Sequence, residues 1–311
     1  MAKELEWKFE PVASCPVCGE TQTTVRLERQ VREVPLRFVA CSRCGLLFQN
    51  PRPSRETLER YFSSTAFIKD ERDEVDLNDT LGYYNYFNWD TSYRKTARLR
   101  LRWVRRFVPP PAKLLEVGTA TGSFLAEAKH AGYDVRGLDL STLFATYARS
   151  QNGLVIDNGF IEDFPLPPSA YDVVCYFGGI ACSYDPLKAL KNIRRALKPA
   201  GIFIFNATRI DTLVGLLTRD HFPEYNHASL VVHTRRSIQE LLSRTGFDVV
   251  QAGVEWQVAS LERVVTYLRS NGAWGFIRRL GLGRINLPVL AVGTYLYICR
   301  SSPSLLDNPE T

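Results

Sequence analysis

The chain has 311 residues, 45% of them hydrophobic, and a formal net charge of +6, enough for one α/β core of about 200 residues plus an accessory module, with no need of disulfide staples. No run of about 18 apolar residues is present to span a bilayer, and the opening MAKELEWKFE lacks the apolar core of a secretory signal. These features predict a cytoplasmic protein with no membrane span.

The first elements are two knuckles. SCPVCGE and ACSRCGL place Cys15, Cys18, Cys41 and Cys44 in two CxxC pairs, joined by a strand-rich spacer, TTVRLERQVREVPLRFVA. In a reducing compartment this pattern points to metal, because each turn aims two thiolates at one ion and two knuckles complete a tetrahedral site. Structural Zn²⁺ is the expected occupant, with a rubredoxin-like iron as the alternative. All four positions are filled by protein, so the expected role is to fold a ribbon over residues 1–55. Cys175, Cys182 and Cys299 lie in apolar segments and read as packed thiols.

Residues 56–110 read as a helical lid or linker. Within it, YRKTARLRLRWVRRF has helical period, with Arg94, Arg98, Arg102 and Arg105 on one face and Ala97, Leu101, Val104 and Val108 on another. A solvated helix surface is the ordinary reading; a phosphate-binding face on RNA or a nucleotide-linked substrate is the sharper one. The prolines of FVPPPA stop this helix.

From Lys113 the pattern changes. KLLEV reads as a buried strand, GTATG as a glycine turn, SFLAEAKHAGY as a helix closed by Gly132, and DVRGLDL as a second strand ending in a carboxylate. A β-α-β unit of this kind gives a parallel pair with a right-handed crossover. Its glycine spacing, Glu116-x-Gly118-x-x-x-Gly122, is not the G-x-G-x-x-G of a dinucleotide site. Later segments predict a strand through YDVVCYF, a helix from about Pro186 to Leu197, a turn at KPAG and a strand at IFIFN.

The E-x-G-x-x-x-G turn with Asp139 at the end of the second strand resembles the class I S-adenosylmethionine-dependent methyltransferases, over about Arg94 to Ser301. The knuckles followed by GLLFQNPRPS are similar to bacterial members with an N-terminal zinc ribbon, including sugar and natural-product enzymes. The resemblance implies an α/β, Rossmann-like, doubly wound and mainly parallel seven-stranded sheet. It implies a methyltransferase domain over 111–301, substrate-loop inserts at 207–233 and 254–292, and a loose tail at 302–311. S-adenosylmethionine is the implied cofactor and S-adenosylhomocysteine the product. Gly118 would let the turn approach the amino acid end, Asp139 would hold the ribose hydroxyls, and Ile161 and Glu162 would lie against adenine. Glu116, Thr119, Gly122, Leu140 and Phe177 complete the expected cofactor set, with Tyr83 and Tyr86 contributed by the lid.

Where related enzymes carry glutamate and histidine after the fourth strand, this chain has GGIACSYDP, with Ala181 and Cys182. A base is therefore expected elsewhere. Three of the chain's four histidines fall within DHFPEYNHASLVVH, where the resemblance implies a substrate-facing loop. His227 is the first candidate for general base and His221 the second, with Glu224 orienting either imidazole. His233, before the expected N-cap Thr234, and His130, in the last turn of a helix, read as structural. The expected substrate is a small or carrier-linked metabolite methylated at oxygen or carbon. The alternatives are an RNA methyltransferase gripping phosphates through residues 94–106, or a cofactor-binding protein without turnover. Nothing in the residues specifies an oligomeric state.

Overall fold

The computed structural model describes residues 6–31, 33–64, 89–261, 264 and 279–302. Tyr83 and Tyr86, most of the 302–311 tail, and Trp274 to Arg278 within the second expected insert lie outside them.

Two sheets organise the described chain. The first takes up the N-terminal module: β2 (Thr23–Val31), β3 (Val34–Cys41) and β4 (Leu47–Gln49) form an antiparallel meander, after the short β1 (Phe9–Glu10). β5 (Arg52–Pro53) pairs with β1 and leads into α1 (Arg55–Phe62), which is capped by the Ser54 side chain. Helix α2 (Asp90–Phe107) then runs down to β6 (Lys113–Val117), which opens the second sheet. It is followed by α3 (Ser123–His130), β7 (Asp134–Asp139), α4 (Thr142–Asn152), β8 (Ile156–Asn158), β9 (Tyr171–Tyr176) and α5 (Pro186–Ala196). The remainder is β10 (Leu197–Thr208), α6 (Leu213–Thr218), β11 (Val231–Val232), α7 (Arg235–Thr245), β12 (Phe247–Ser260) and β13 (Asn286–Ser301). The expected KPAG turn is absorbed into the start of β10 as a shift of register between Leu197 and Ile202.

The second sheet has seven strands in the order β12-β13-β10-β9-β6-β7-β8, and of these β13 alone runs against the rest. Strand alternation sends Leu115, Val117, Val174, Phe203 and Phe205 to one face, where α5 and α7 cover them. Leu114, Val173, Cys175, Ile202 and Ile204 go to the other, beneath α2, α3 and α4. Both faces being covered explains why the parallel strands read as continuous apolar runs. From β6 the chain winds outward through β7 and β8, then returns to place β9 on the other side of β6. The sheet reverses at the carboxyl ends of β6 and β9, where open α/β sheets leave a crevice.

The N-terminal module is not a separate bead ending at residue 55. Its sheet has the order β11-β4-β3-β2, so the fourth strand comes from residues 231–232, with Val231 opposite Phe48. Cys15, Cys18, Cys41 and Cys44 belong to the same apolar cluster as Leu115, Phe205 and Leu241 of the large sheet and α7. The threonine that caps α7, Thr234, also donates to the carbonyl of Cys44 at 3.0 Å.

Candidate functional site

At the reversal point lies a cleft lined by Val117, Gly118 and Ala120 after β6, Leu138 to Ser141 after β7, Gly159 to Glu162 after β8, and Tyr176 to Gly179 with Cys182 and Ser183 after β9. Phe62 of α1 and Phe144 of α4 close it. Gly118 has φ of +70°, a conformation that a side chain would strain, and a Cβ there would point at the Tyr176 ring and Gly179 across the cleft.

Asp139 is buried, and its two oxygens accept from the amides of Ala120 (2.7 Å) and Ser141 (2.8 Å). Burial pushes its pKa up to about 6 against the pull of those amides. Glu116 stands behind the turn, 3% exposed, with Oε2 lacking a hydrogen-bond partner among the described residues. Burial raises its pKa well above the usual carboxylate range, although the Arg100 charge opposes this.

Of the expected cofactor residues, the structure brings Gly118, Asp139, Leu140, Ile161, Glu162 and Phe177 to the cleft wall. Glu116, Thr119 and Gly122 do not line it, and Glu116 and Thr119 are buried beside the turn. Gly122, at φ +77°, starts α3 where a Cβ would meet Leu154 at 2.7 Å and Ala148 at 3.0 Å, so it serves helix packing. Glu162 spends Oε1 on the amides of Tyr184 (2.8 Å) and Asp185 (3.1 Å), tying the β8–β9 loop to the start of α5. Sequence reasoning missed Phe62, Phe144, Phe160 and Tyr176. Only alternation placed Tyr176 in a strand, and nothing local signalled that α1 reaches the cleft.

The histidine-rich loop is elsewhere. None of His221, Glu224 and His227 lines the cleft. His227 is fully buried, its ring 4.9 Å from that of Trp7, with Nε2 3.2 Å from the carbonyl oxygen of Pro35. Burial lowers its pKa to about 4. Glu224 accepts from Ser229 Oγ at 2.7 Å, and His221 is exposed. Asn226 Oδ1 accepts from the amides of Ala228 and Ser229, Gln49 Nε2 donates to the carbonyls of Asn226 and Ser229, and Arg29 donates to that of Tyr225. The loop thus straps the N-terminal sheet to the back of the cleft wall, where Leu230 N donates to Ala181 O and Gln49 N to Leu230 O. His233 is buried beside Ser237 Oγ, in the structural place expected of it.

The four cysteine sulfurs lie within 4.8 Å of one another, with Cys15 Sγ 3.6 Å from Cys44 Sγ and Cys18 Sγ 3.4 Å from Cys41 Sγ. Thiolates on a tetrahedral Zn²⁺ sit about 3.8 Å apart, so a donor set of this kind and size suits that ion.

The arginines of α2 are divided. Arg94 pairs with Asp90 and Glu127, Arg98 with Glu127, and Arg100 with Glu255. Arg102, Arg105 and Arg106 lie on the half of the helix that leads down to the start of β6, at the end of the sheet opposite the cleft.

A doubly wound, mostly parallel sheet of this order, with a glycine turn facing a buried strand-end aspartate, is a Rossmann-like α/β fold of the methyltransferase type. Residues 91–252, just over half of the chain, match the family described as a methyltransferase domain, and the protein belongs to that family. The chain is 27% identical over 169 residues to malonyl-(acyl-carrier protein) O-methyltransferase of Methylococcus capsulatus, covering 51% of this chain and 60% of that protein, less than two thirds of its length. It is 29% identical over 157 residues to demethylmenaquinone methyltransferase of Geobacillus stearothermophilus, covering 47% and 67%. A methyltransferase chain from the Haloferax volcanii complex with the Trm112 activator shares the fold, with a TM-score of 0.51 at 18% identity over 69% of this chain and 92% of that one. Family membership implies S-adenosylmethionine, and the cleft fits it: Asp139 offers an anionic acceptor, Leu140, Phe160 and Ile161 an apolar slot, and Gly118 a close backbone approach.

Proposed function

We propose that this protein transfers a methyl group from S-adenosylmethionine to oxygen or carbon of a small or carrier-linked metabolite, such as a sugar or natural-product intermediate. The observation that carries the reading is the buried Asp139 carboxylate facing the Gly118 turn at the reversal point of the sheet. In this role Asp139 accepts from the ribose hydroxyls, the Leu140–Ile161 slot takes the adenine, and the Gly118 turn and Phe177 flank the amino acid end. The bound cofactor supplies an electrophilic methyl; the protein's own work is to align the acceptor in line with it and exclude water.

Among the described residues of the cleft wall there is no lysine, arginine or histidine. The ion pairing of Arg94, Arg98 and Arg100 weighs against their gripping an RNA backbone. Glu224 and His227 then hold the strap that joins the two sheets. The four cysteines take Zn²⁺ as a structural ion.

Incubation of the purified protein with methyl-labelled S-adenosylmethionine and separate small-molecule and RNA fractions tests the reading. Label is expected in the small molecules; label in RNA alone would overturn it.

A further inference from the structure

The corner Phe177–Gly178–Gly179 forms the cleft wall at the end of β9. Gly178 has φ of +72°, and a Cβ there would meet nothing within 4 Å, so glycine answers a backbone requirement rather than a packing one. Its amide donates to Asn206 Oδ1 at 2.6 Å. Asn206 is 4% exposed, sits in β10, and is not part of the cleft wall.

Asn206 is itself held. Its Nδ2 donates to Glu255 Oε2 at 2.7 Å. Glu255, in β12 and 3% exposed, also accepts from Arg100 Nε at 2.6 Å on Oε1 and from Gln257 Nε2 at 2.8 Å on Oε2. Arg100 lies with its guanidinium 4.4 Å from the centre of the Phe177 ring. An amide between a carboxylate and an N–H satisfies both partners in one orientation only, so the ion pair fixes which way Asn206 faces. The Phe177–Gly178 peptide is trans, and in a trans peptide C=O and N–H point in opposite directions. With the N–H turned out of the cleft toward Asn206, the carbonyl of Phe177 is turned into it.

We propose that Asn206 is a positioning residue: anchored by Glu255 and Arg100, it fixes the Phe177–Gly178 peptide so that the Phe177 carbonyl accepts from the ammonium group at the amino acid end of the cofactor. This rests on the cofactor reading above. It adds a role for the buried Asn206 and Glu255 and the half-buried Arg100, on β10, β12 and α2, which do not themselves touch the ligand.

The test is calorimetric binding of two ligands to the full-length protein. One is S-adenosylhomocysteine, which has the amino acid end; the other is 5′-methylthioadenosine, which lacks it. Asn206→Ala should weaken S-adenosylhomocysteine by about tenfold to a hundredfold, the effect of one charge-assisted hydrogen bond, and leave methylthioadenosine within about twofold of wild type. Glu255→Gln, which keeps the shape and removes the charge, should show a smaller loss with the same selectivity, and serves if Asn206→Ala fails to fold. An equal loss for both ligands, or no loss for either in folded variants, would overturn the proposal. Failure of the wild-type protein to bind either ligand would instead overturn the cofactor reading.

Discussion

In the proposed cofactor role Asp139 acts as an anion in a place that penalises charge. Burial raises its pKa to about 6, while a pair of ribose hydroxyls needs the ionised form as acceptor. Binding of S-adenosylhomocysteine should therefore strengthen as pH rises through about 6 and level off above it. Calorimetry from pH 5 to pH 8 checks the sign. Asp139→Asn should bind weakly at every pH, because its amide would meet the N–H of Ala120 or Ser141 that the carboxylate now accepts. The two glycines of the cleft corner separate by cause. A Cβ at Gly179 would lie 2.1 Å from the Tyr176 ring, whereas Gly178→Ala meets nothing and should cost only the strain of its positive φ, about 1–2 kcal/mol. Thermal unfolding should accordingly show Gly179→Ala as the more damaging of the two. At this scale the sequence was legible where chemistry is local: Glu116, Gly118 and Asp139 announced themselves by spacing. Asn206 and Glu255 did not, since a polar residue in a strand says nothing of the partner 49 residues away.

Among the elements, the 220–233 loop departs furthest from expectation. Its histidines read as chemistry because the loop follows β10 at the carboxyl end of the sheet, where substrate loops usually lie. The loop instead packs on the N-terminal sheet, because Gln49 and Arg29 donate to its carbonyls there, Pro35 pairs with His227 Nε2, and the Trp7 ring packs on the imidazole. His227→Ala should thus lower stability by about 1–3 kcal/mol and leave S-adenosylhomocysteine affinity intact; a large loss of affinity in a folded variant would return this histidine to the cleft. Burial holds His227 and His233 near pKa 4, below the 6.5 of a free imidazole. The unfolded chain therefore binds their protons first as pH falls. Their contribution is complete above about pH 6.5 and is lost progressively toward pH 4. Denaturant titrations of wild type and the His227→Gln, His233→Gln pair should show a stability gap that narrows across that window.

Over the whole molecule, the four-cysteine knuckles share an apolar cluster with the central sheet, and β11 completes the N-terminal sheet from within the larger domain. Cooperative units follow shared core rather than chain position. Stripping the proposed Zn²⁺ with a chelator should therefore lower the midpoint of one unfolding transition, not detach an independent early one, and should weaken S-adenosylhomocysteine binding through Phe62, which reaches the cleft from α1. Differential scanning calorimetry with and without chelator distinguishes the two outcomes.

The covalent order of residues was sufficient for whatever depends on neighbours within a turn or two. The CxxC pairs, the glycine turn after β6, the strand-end aspartate and the periods of α2 and α7 are all of this kind, because side-chain direction repeats with backbone period. Which surfaces meet was settled in three dimensions. That β11 joins β4, that α1 closes the cofactor cleft, that Arg100 pairs with Glu255, and that the histidines stand away from the cleft depend on contacts between segments far apart in the chain. Burial and pairing of polar groups select those contacts, and no local pattern encodes them.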